Sequence, residues 1–247
     1  MNRREILLNI GAAAAWVLMR LPRRTQRGTD MLRTAGGADR VVAGVPIVDS
    51  ALAQSATELA KNVYPPFLFN HVMRTYVFGV LVGRAHGHRF DEEALYLACV
   101  LHDLGLTSPY EGDLPFEIQG AEAARRFLIG RGMPQERADV IWDGIALHVS
   151  AVGSFKRPEI SLVGAGAGAD VLGPDPAQVP PDKVAAALVA FPRLGFKTGF
   201  LKTCAGIVSR HPTGATRSFM RDVGEQLVPN FHPRNFCDLV DQAPFSE

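Results

Sequence analysis

The stretch LYLACVLHDLGL, residues 95–106, is a strongly apolar run that contains two polar side chains near its end. Its composition predicts a helix that is buried on most of its faces. Those polar side chains are His102 and Asp103. An imidazole that is buried without a partner costs about 1–3 kcal/mol, and a buried carboxylate without a cation costs more. The stretch therefore predicts that both groups have partners inside the folded protein.

Three other polar side chains occur in similarly apolar stretches. They are His71 in FLFNHVMRTYVFGV, His148 in IWDGIALHVS and Asp170 in ISLVGAGAGADVLG. One divalent metal ion would satisfy several of these groups together, because imidazole and carboxylate are ligands for zinc, iron and manganese. We therefore predict a metal centre among these side chains, in which two histidines with two aspartates would leave coordination positions open for catalysis.

The rest of the chain indicates an all-α protein. Alanine is abundant, β-branched runs are short, and no segment alternates as a strand would. From capping residues, prolines and glycines, we predict helices at about 50–62, 66–86, 91–104, 116–131, 134–150, 158–172, 181–191, 196–210 and 215–227. A signal-like, basic extension, residues 1–42, precedes one domain, residues 43–247. We expect the tail, residues 228–247, to wrap over that domain.

Four of these side chains match a known pattern. His71, the pair His102-Asp103 thirty-one residues later and Asp170 sixty-seven residues beyond resemble the H…HD…D signature of the HD superfamily. The strings FNHVMRTYVFG, LHDLGLT, FEIQGAEAARRFL, GAGADVLG and NFCDL are similar to the cyanamide-hydratase-like branch, over about residues 46–245. The resemblance implies a helical bundle around one divalent metal held by these four side chains. Zinc is the first expectation, and iron and manganese are the alternatives.

The resemblance leaves two reactions open. HD sites hydrolyse phosphate esters or hydrate a small unsaturated molecule, and a phosphate needs cationic side chains around it. Many phosphodiesterase-type members continue HD-x-G-K, whereas this chain has Leu106 in place of the lysine. Arg74 is the obvious nearby cation, either as a substrate contact or in a helix-surface salt bridge. We therefore expect water addition to a nitrile-like carbon, as in cyanamide to urea. The alternatives are an HD phosphohydrolase acting on nucleotides and a non-catalytic, metal-stabilised sensor.

Two residues are candidates for moving protons. Glu117 lies at the start of a predicted helix, and His148 lies on an apolar helical face. Either side chain could act as a general acid or base. Glu117 could instead be a plain first-turn acid that suits the helix dipole, and His148 could hold a metal ligand in place. Thr107, just after the HD pair, is a candidate pocket residue.

The glycine string Gly164, Gly166 and Gly168 does not indicate a dinucleotide loop. Its spacing is GxGxG rather than GxGxxG, and no βαβ unit surrounds it. We expect these small residues to let two helices approach closely.

Charge and apolar residues are unevenly placed at the N-terminus. Residues 1–40 hold eight arginines and three acidic residues, but the net charge of the whole chain is +1, which does not support nucleic-acid binding. Arg3 and Arg4 before the uncharged residues 6–19 resemble a twin-arginine export signal. A basic cluster follows, so export, a peripheral membrane anchor and a cytoplasmic extension all stay open. We expect membrane contact only through residues 1–30, if at all.

The remaining predictions concern the cysteines and the binding partners. Three widely spaced cysteines indicate reduced thiols rather than a disulfide framework or a structural zinc site. We expect a small-molecule substrate as the partner of this protein. The sequence leaves open whether the chain forms a homo-oligomer.

Overall fold

Capping side chains and prolines set where the helices of this protein begin. The structure is a computed structural model, and it describes residues 40–245. The α-helices in that range are α1 Ala51–Val63, α2 Pro66–Ala85, α3 Glu92–Leu101, α4 Phe116–Ile129, α5 Gln135–Ala146, α6 Pro158–Leu172, α7 Pro181–Ala190, α8 Phe196–Arg210, α9 Phe219–Leu227 and α10 Phe236–Asp241. Side chains of Ser50 and Asp91 cap α1 and α3, and prolines occupy the first turns of α2, α6 and α7. The all-α prediction is confirmed.

One short hairpin precedes these helices within residues 40–245. Its strands, β1 (Val41–Val42) and β2 (Val45–Pro46), are antiparallel. The hydroxyl of Tyr76 in α2 donates a hydrogen bond to Pro46 O at 3.1 Å and ties the hairpin to the bundle. The sequence does not predict this hairpin, because two-residue strands are too short to show an alternating pattern.

α2 is the central helix, and its most extensive packing partner is α6. Residues on every face of α2 are buried, from Leu68 to Gly83. The approach of α6 is close because α6 presents a glycine there: a Cβ at Gly166 would lie 2.1 Å from Thr75 O. The predicted role of the glycine string is therefore confirmed at this position.

Two predicted helices extend too far at their C-terminal ends. α3 ends at Leu101 rather than near residue 104, and α5 ends at Ala146 rather than near residue 150. Asp103, with φ −98° and ψ 13°, has already left the helical conformation, and His148 lies in a turn. Neither end carries a proline or a left-handed glycine, so apolar periodicity alone could not locate it.

The C-terminal part also differs from the prediction. The helix expected at 215–227 begins later, as α9 at Phe219, where the side chain of Ser218 caps it. A short 3-10 helix, Pro212–Ala215, precedes it. In the described part of the tail, Phe231 packs into the core, whereas α10 has no buried residue. The expected wrapping is thus limited to the beginning of the tail.

The predicted N-terminal extension lies almost entirely outside the described residues. The residues on which the predictions of export and membrane contact are based also lie outside them. The chain from Arg40 onward forms one compact unit. Within the part that the structure describes, no helix combines the length and the apolarity needed to cross a membrane.

Gly166→Ala should destabilise the protein, because the added methyl group would meet a backbone oxygen of α2. We expect a loss of about 3 kcal/mol in the free energy of unfolding. Gly168→Ala is the matched control: it lies in the same helix, its Cβ would meet nothing within 4 Å, and the helix propensity of alanine should add up to about 1 kcal/mol. Urea unfolding measures both variants, and equal stabilities would contradict this account of the α2–α6 contact.

Candidate functional site

His71, His102 and Asp103 meet in the interior of the bundle. His71 lies within α2, and the pair follows the end of α3. His71 Nε2 is 3.5 Å from Asp103 Oδ2, and His102 Nε2 is 3.4 Å from Asp103 Oδ1. One ligand atom from each side chain lies within 4.8 Å of the others. All three residues are buried, so this metal group, as we call it, is shielded from bulk water.

The protonation and hydrogen bonding of the metal group suit a cation. Burial lowers the pKa of His102 to about 3, and its Nδ1 donates to Cys99 O at 2.7 Å, which leaves a lone pair on Nε2. Burial raises the pKa of Asp103, and Asp103 Oδ2 accepts no hydrogen bond from the described residues. A buried oxygen without a donor is costly. Imidazole nitrogens and a carboxylate oxygen fit a divalent metal ion, which would supply the missing partner.

Asp170 lies beside the metal group. Its Oδ2 is 2.7 Å from Nδ1 of His71, whereas Nε2 of the same ring faces Asp103. Arg74 donates to both oxygens of Asp170, at 2.7 and 2.8 Å, and Arg193 donates to Oδ1 at 3.0 Å. Burial alone would raise the pKa of Asp170, but the hydrogen bonds from His71 and Arg74 lower it to about 2. A carboxylate on the far nitrogen of a ligand histidine fixes the orientation of that imidazole.

Arg74 is fully buried, and each of its guanidinium nitrogens is hydrogen-bonded. Besides its bonds to Asp170, Nη1 donates to Phe191 O at 2.8 Å and to Pro192 O at 3.3 Å. This geometry contradicts the helix-surface salt bridge, because the pair is inside the bundle. It also gives no support to the expected substrate contact, since every guanidinium nitrogen already donates to Asp170 or to a backbone oxygen. Arg193, the second cation on Asp170, was not predicted, because it lies in an irregular segment between α7 and α8.

His148 reaches the metal group from the turn after α5. Its ring lies 4.8 Å from the ring of His102, edge to face, and its Nδ1 donates to Ile145 O at 2.6 Å. Burial, followed by the neighbouring His102, lowers the pKa of His148 to about 4. Unlike His71 and His102, His148 is only half-buried. It is therefore a neutral imidazole on the more open side of the group.

Glu117 and Thr107 are both buried, and they differ in their hydrogen bonding. Oε2 of Glu117, in the first turn of α4, has no hydrogen-bond partner among residues 40–245, and burial raises its pKa. An acid that served only the helix dipole would be stable in water, so this burial favours a functional role. Thr107 Oγ1 donates to Leu104 O at 2.6 Å, which commits its hydroxyl to the turn after Asp103.

Two buried groups near Asp103 were not predicted. The hydroxyl of Tyr64, just after α1, is buried, and burial and the charge of Asp103 raise its pKa. Burial, together with the same charge, also raises the pKa of Cys204 in α8. A single tyrosine or cysteine in an apolar stretch is common in protein cores, so the sequence held no signal for either residue.

Comparison with known proteins agrees with this geometry. The HD domain family matches residues 68–159, the segment that contains the whole metal group. Residues 68–159 therefore carry an HD domain. The chain is also 26% identical over 218 residues to Cyanamide hydratase DDI2 and to Cyanamide hydratase DDI3 of Saccharomyces cerevisiae, and the match covers 86% of this chain and 95% of each relative. The predicted HD-domain, cyanamide-hydratase-like character is confirmed, and this HD-domain protein is a metal-dependent hydrolase or hydratase.

Asp103→Asn tests whether the unpartnered carboxylate of this HD-domain protein binds a cation. The amide keeps the shape of the side chain but removes its charge. The metal content should therefore fall from about one ion per chain to a small fraction of that, measured by elemental analysis after purification without chelator. Chelator-treated Asp103→Asn should unfold at the same temperature as chelator-treated wild type or above it, since a buried charge has been removed.

Asp182→Asn is the control for this measurement, because Asp182 is exposed and should match wild type in both respects. If Asp103→Asn contains as much metal as wild type, Asp103 is not a ligand of the metal ion.

Proposed function

We propose that this HD-domain enzyme adds water to the nitrile-like carbon of a small uncharged molecule, as cyanamide is hydrated to urea. The supporting observation is the state of the nearby charges: Arg74 and Arg193, the cations next to the metal group, are both bound to Asp170. A phosphate ester would need such cations for its own charge, whereas a nitrile needs none. The names of the two yeast relatives point to the same reaction.

The proposed metal centre consists of His71, His102, Asp103 and Asp170, and the proposed ion is zinc. Three of these side chains offer ligand atoms close to one another, and imidazole nitrogens suit zinc. Asp170 belongs to the centre through its contact with His71, whether its carboxylate binds the ion directly or orients the imidazole. When bound, a divalent ion supplies Lewis acidity, which lowers the pKa of water and withdraws electron density from an electrophile.

His148 and Glu117 are the proposed proton carriers, because burial shifts their pKa values in opposite directions. The pKa of His148 is lowered to about 4, so its imidazole is neutral at pH 7 and can accept the proton of the attacking water. The pKa of Glu117 is raised, so it keeps its proton to higher pH and can donate it to nitrogen. Phe116, which precedes Glu117, lies 5.6 Å from the ring of His148.

The proton transfers follow the bonds that change. As the C–O bond forms, one electron pair of the carbon–nitrogen triple bond moves to nitrogen, which takes the proton of Glu117. His148 holds the proton that the water loses. A proton shift from oxygen to nitrogen then gives the amide group of the product, and transfer from His148 back to Glu117 restores the starting state.

Assays of the metal-loaded protein with cyanamide and with nucleoside monophosphates test the proposed reaction. We expect urea from cyanamide, no phosphate from the nucleotides, and loss of urea formation on chelation. Phosphate release without urea would identify a phosphohydrolase instead. Abundant bound metal without turnover of either substrate would favour a sensor.

Glu117→Gln should lower kcat for cyanamide hydration by about 10²- to 10⁴-fold, because an amide cannot supply the proton. Glu136→Gln is the matched control: Glu136 also lies in the first turn of a helix, α5, but it is exposed. Steady-state kinetics should show an unchanged kcat for the control. Equal effects of the two substitutions on kcat would mean that Glu117 acts only through the helix dipole.

A further inference from the structure

Seven aromatic rings form a closed circuit that passes through the histidines at the metal group. The centroid distances around it are 5.2 Å for His71–His102, 4.8 Å for His102–His148, 5.6 Å for His148–Phe116, 5.8 Å for Phe116–Phe219, 6.1 Å for Phe219–Phe200, 5.0 Å for Phe200–Phe196 and 4.8 Å for Phe196–His71. Three histidines make up one side of the circuit. The other side, which we call the phenylalanine arc, consists of Phe116, Phe196, Phe200 and Phe219.

The phenylalanine arc is only partly covered by the fold. Phe116 and Phe196 are buried, but Phe200 and Phe219 are half-buried, as is His148. Aromatic rings that served only as core packing would be covered on all sides. Apolar surface that borders a few convergent polar groups is instead typical of small-molecule sites.

The position of the arc relative to the metal group is set by α8. Phe196 and Phe200 lie four residues apart and therefore on one face of that helix. Both rings contact His71, with centroid distances of 4.8 and 6.0 Å. One side of His71 is therefore lined by these two aromatic rings.

The two guanidinium groups closest to Phe196 are already hydrogen-bonded. The guanidinium groups of Arg74 and Arg193 lie 5.7 and 4.6 Å from the centroid of Phe196. Both guanidinium groups donate to Asp170, so both are already hydrogen-bonded within the fold, although the single carboxylate offsets only one of the two positive charges. Among the described residues, the arc is therefore an apolar surface beside the metal group, and the two cations next to it are already bonded to Asp170.

We propose that the phenylalanine arc binds an apolar substituent of the substrate, so that the preferred substrates are nitriles or cyanamides that carry small alkyl groups. This inference rests on the proposed hydration reaction. The nitrile-like carbon lies at the histidine side of the circuit and the substituent lies at the arc, where its apolar surface leaves water. Water adds across the triple bond, no group departs, and a dialkylcyanamide gives the corresponding N,N-dialkylurea.

The first test compares cyanamide with dimethylcyanamide on metal-loaded wild type. Each buried methyl group should contribute a factor of about three to four to binding, so two should make kcat/KM about tenfold higher for dimethylcyanamide. Phe200→Leu and Phe219→Leu should lower this ratio toward one, because they remove aromatic surface from the arc. Comparing this ratio between wild type and each variant cancels the intrinsic reactivity of the two substrates.

Leu201→Ala is the matched control. Leu201 neighbours Phe200 in α8 but is 45% exposed, so its ratio should equal that of wild type. A ratio that is the same in wild type and in both phenylalanine variants would overturn the proposal.

A binding measurement separates this inference from the proposed reaction. Isothermal titration calorimetry of the metal-loaded protein should show tighter binding of N,N-dimethylurea than of urea, by about tenfold, with this preference reduced in Phe200→Leu. If no nitrile is hydrated but dimethylurea binds more tightly than urea, the proposed reaction is wrong, whereas the proposed role of the phenylalanine arc is supported. If cyanamide is hydrated and the two ureas bind equally, the proposed role of the phenylalanine arc is wrong, whereas the proposed reaction is supported.

Discussion

The ion pair between Arg74 and Asp170 joins α2 to α6 inside the bundle, and the metal group is built against it. Burying two opposite charges costs several kcal/mol per ion unless the geometry is good and the other hydrogen-bonding positions are filled. Both conditions are met, because two N–H···O bonds link the pair while His71 and Arg193 supply further hydrogens to the carboxylate. The pair therefore fixes how α6 lies on α2 and, through His71, how one imidazole faces the site.

Asp103 shows the opposite arrangement. Both aspartates are buried, but Asp170 accepts hydrogen bonds from three side chains, whereas Oδ2 of Asp103 accepts none from the described residues. Their pKa values move apart accordingly, to about 2 for Asp170 and upward for Asp103. Since the fold supplies donors so fully to one carboxylate, the open oxygen of its neighbour points to a partner outside the polypeptide. This contrast carries the assignment of a metal centre more directly than the histidines do.

The sequence was informative wherever the physical cause is local. α8, Phe196–Arg210, has the predicted bounds, and Asp91 caps α3 as expected, because apolar periodicity and capping act over a few residues. His102 and Asp103 were recognised because polar groups in an apolar helix need partners.

Long-range features could not be recognised in this way. The partner of Arg74 is 96 residues away, and nothing near Arg74 distinguishes a buried pair from a surface one. The arc residues raise a similar difficulty, since a phenylalanine that faces a ligand follows the same local pattern as one in the core. Only the packing of α4, α8 and α9 brings them together.

The metal group and the phenylalanine arc come from different helices. His71, His102 and Asp103 belong to α2 and the end of α3, whereas three of the four arc residues start α9 or lie on α8. Substitutions in α8 and α9 can therefore alter the size of the recognition surface while the metal ligands stay unchanged. Related chains built on this plan are free to diverge in the molecules they accept without having to rebuild the chemistry that they share.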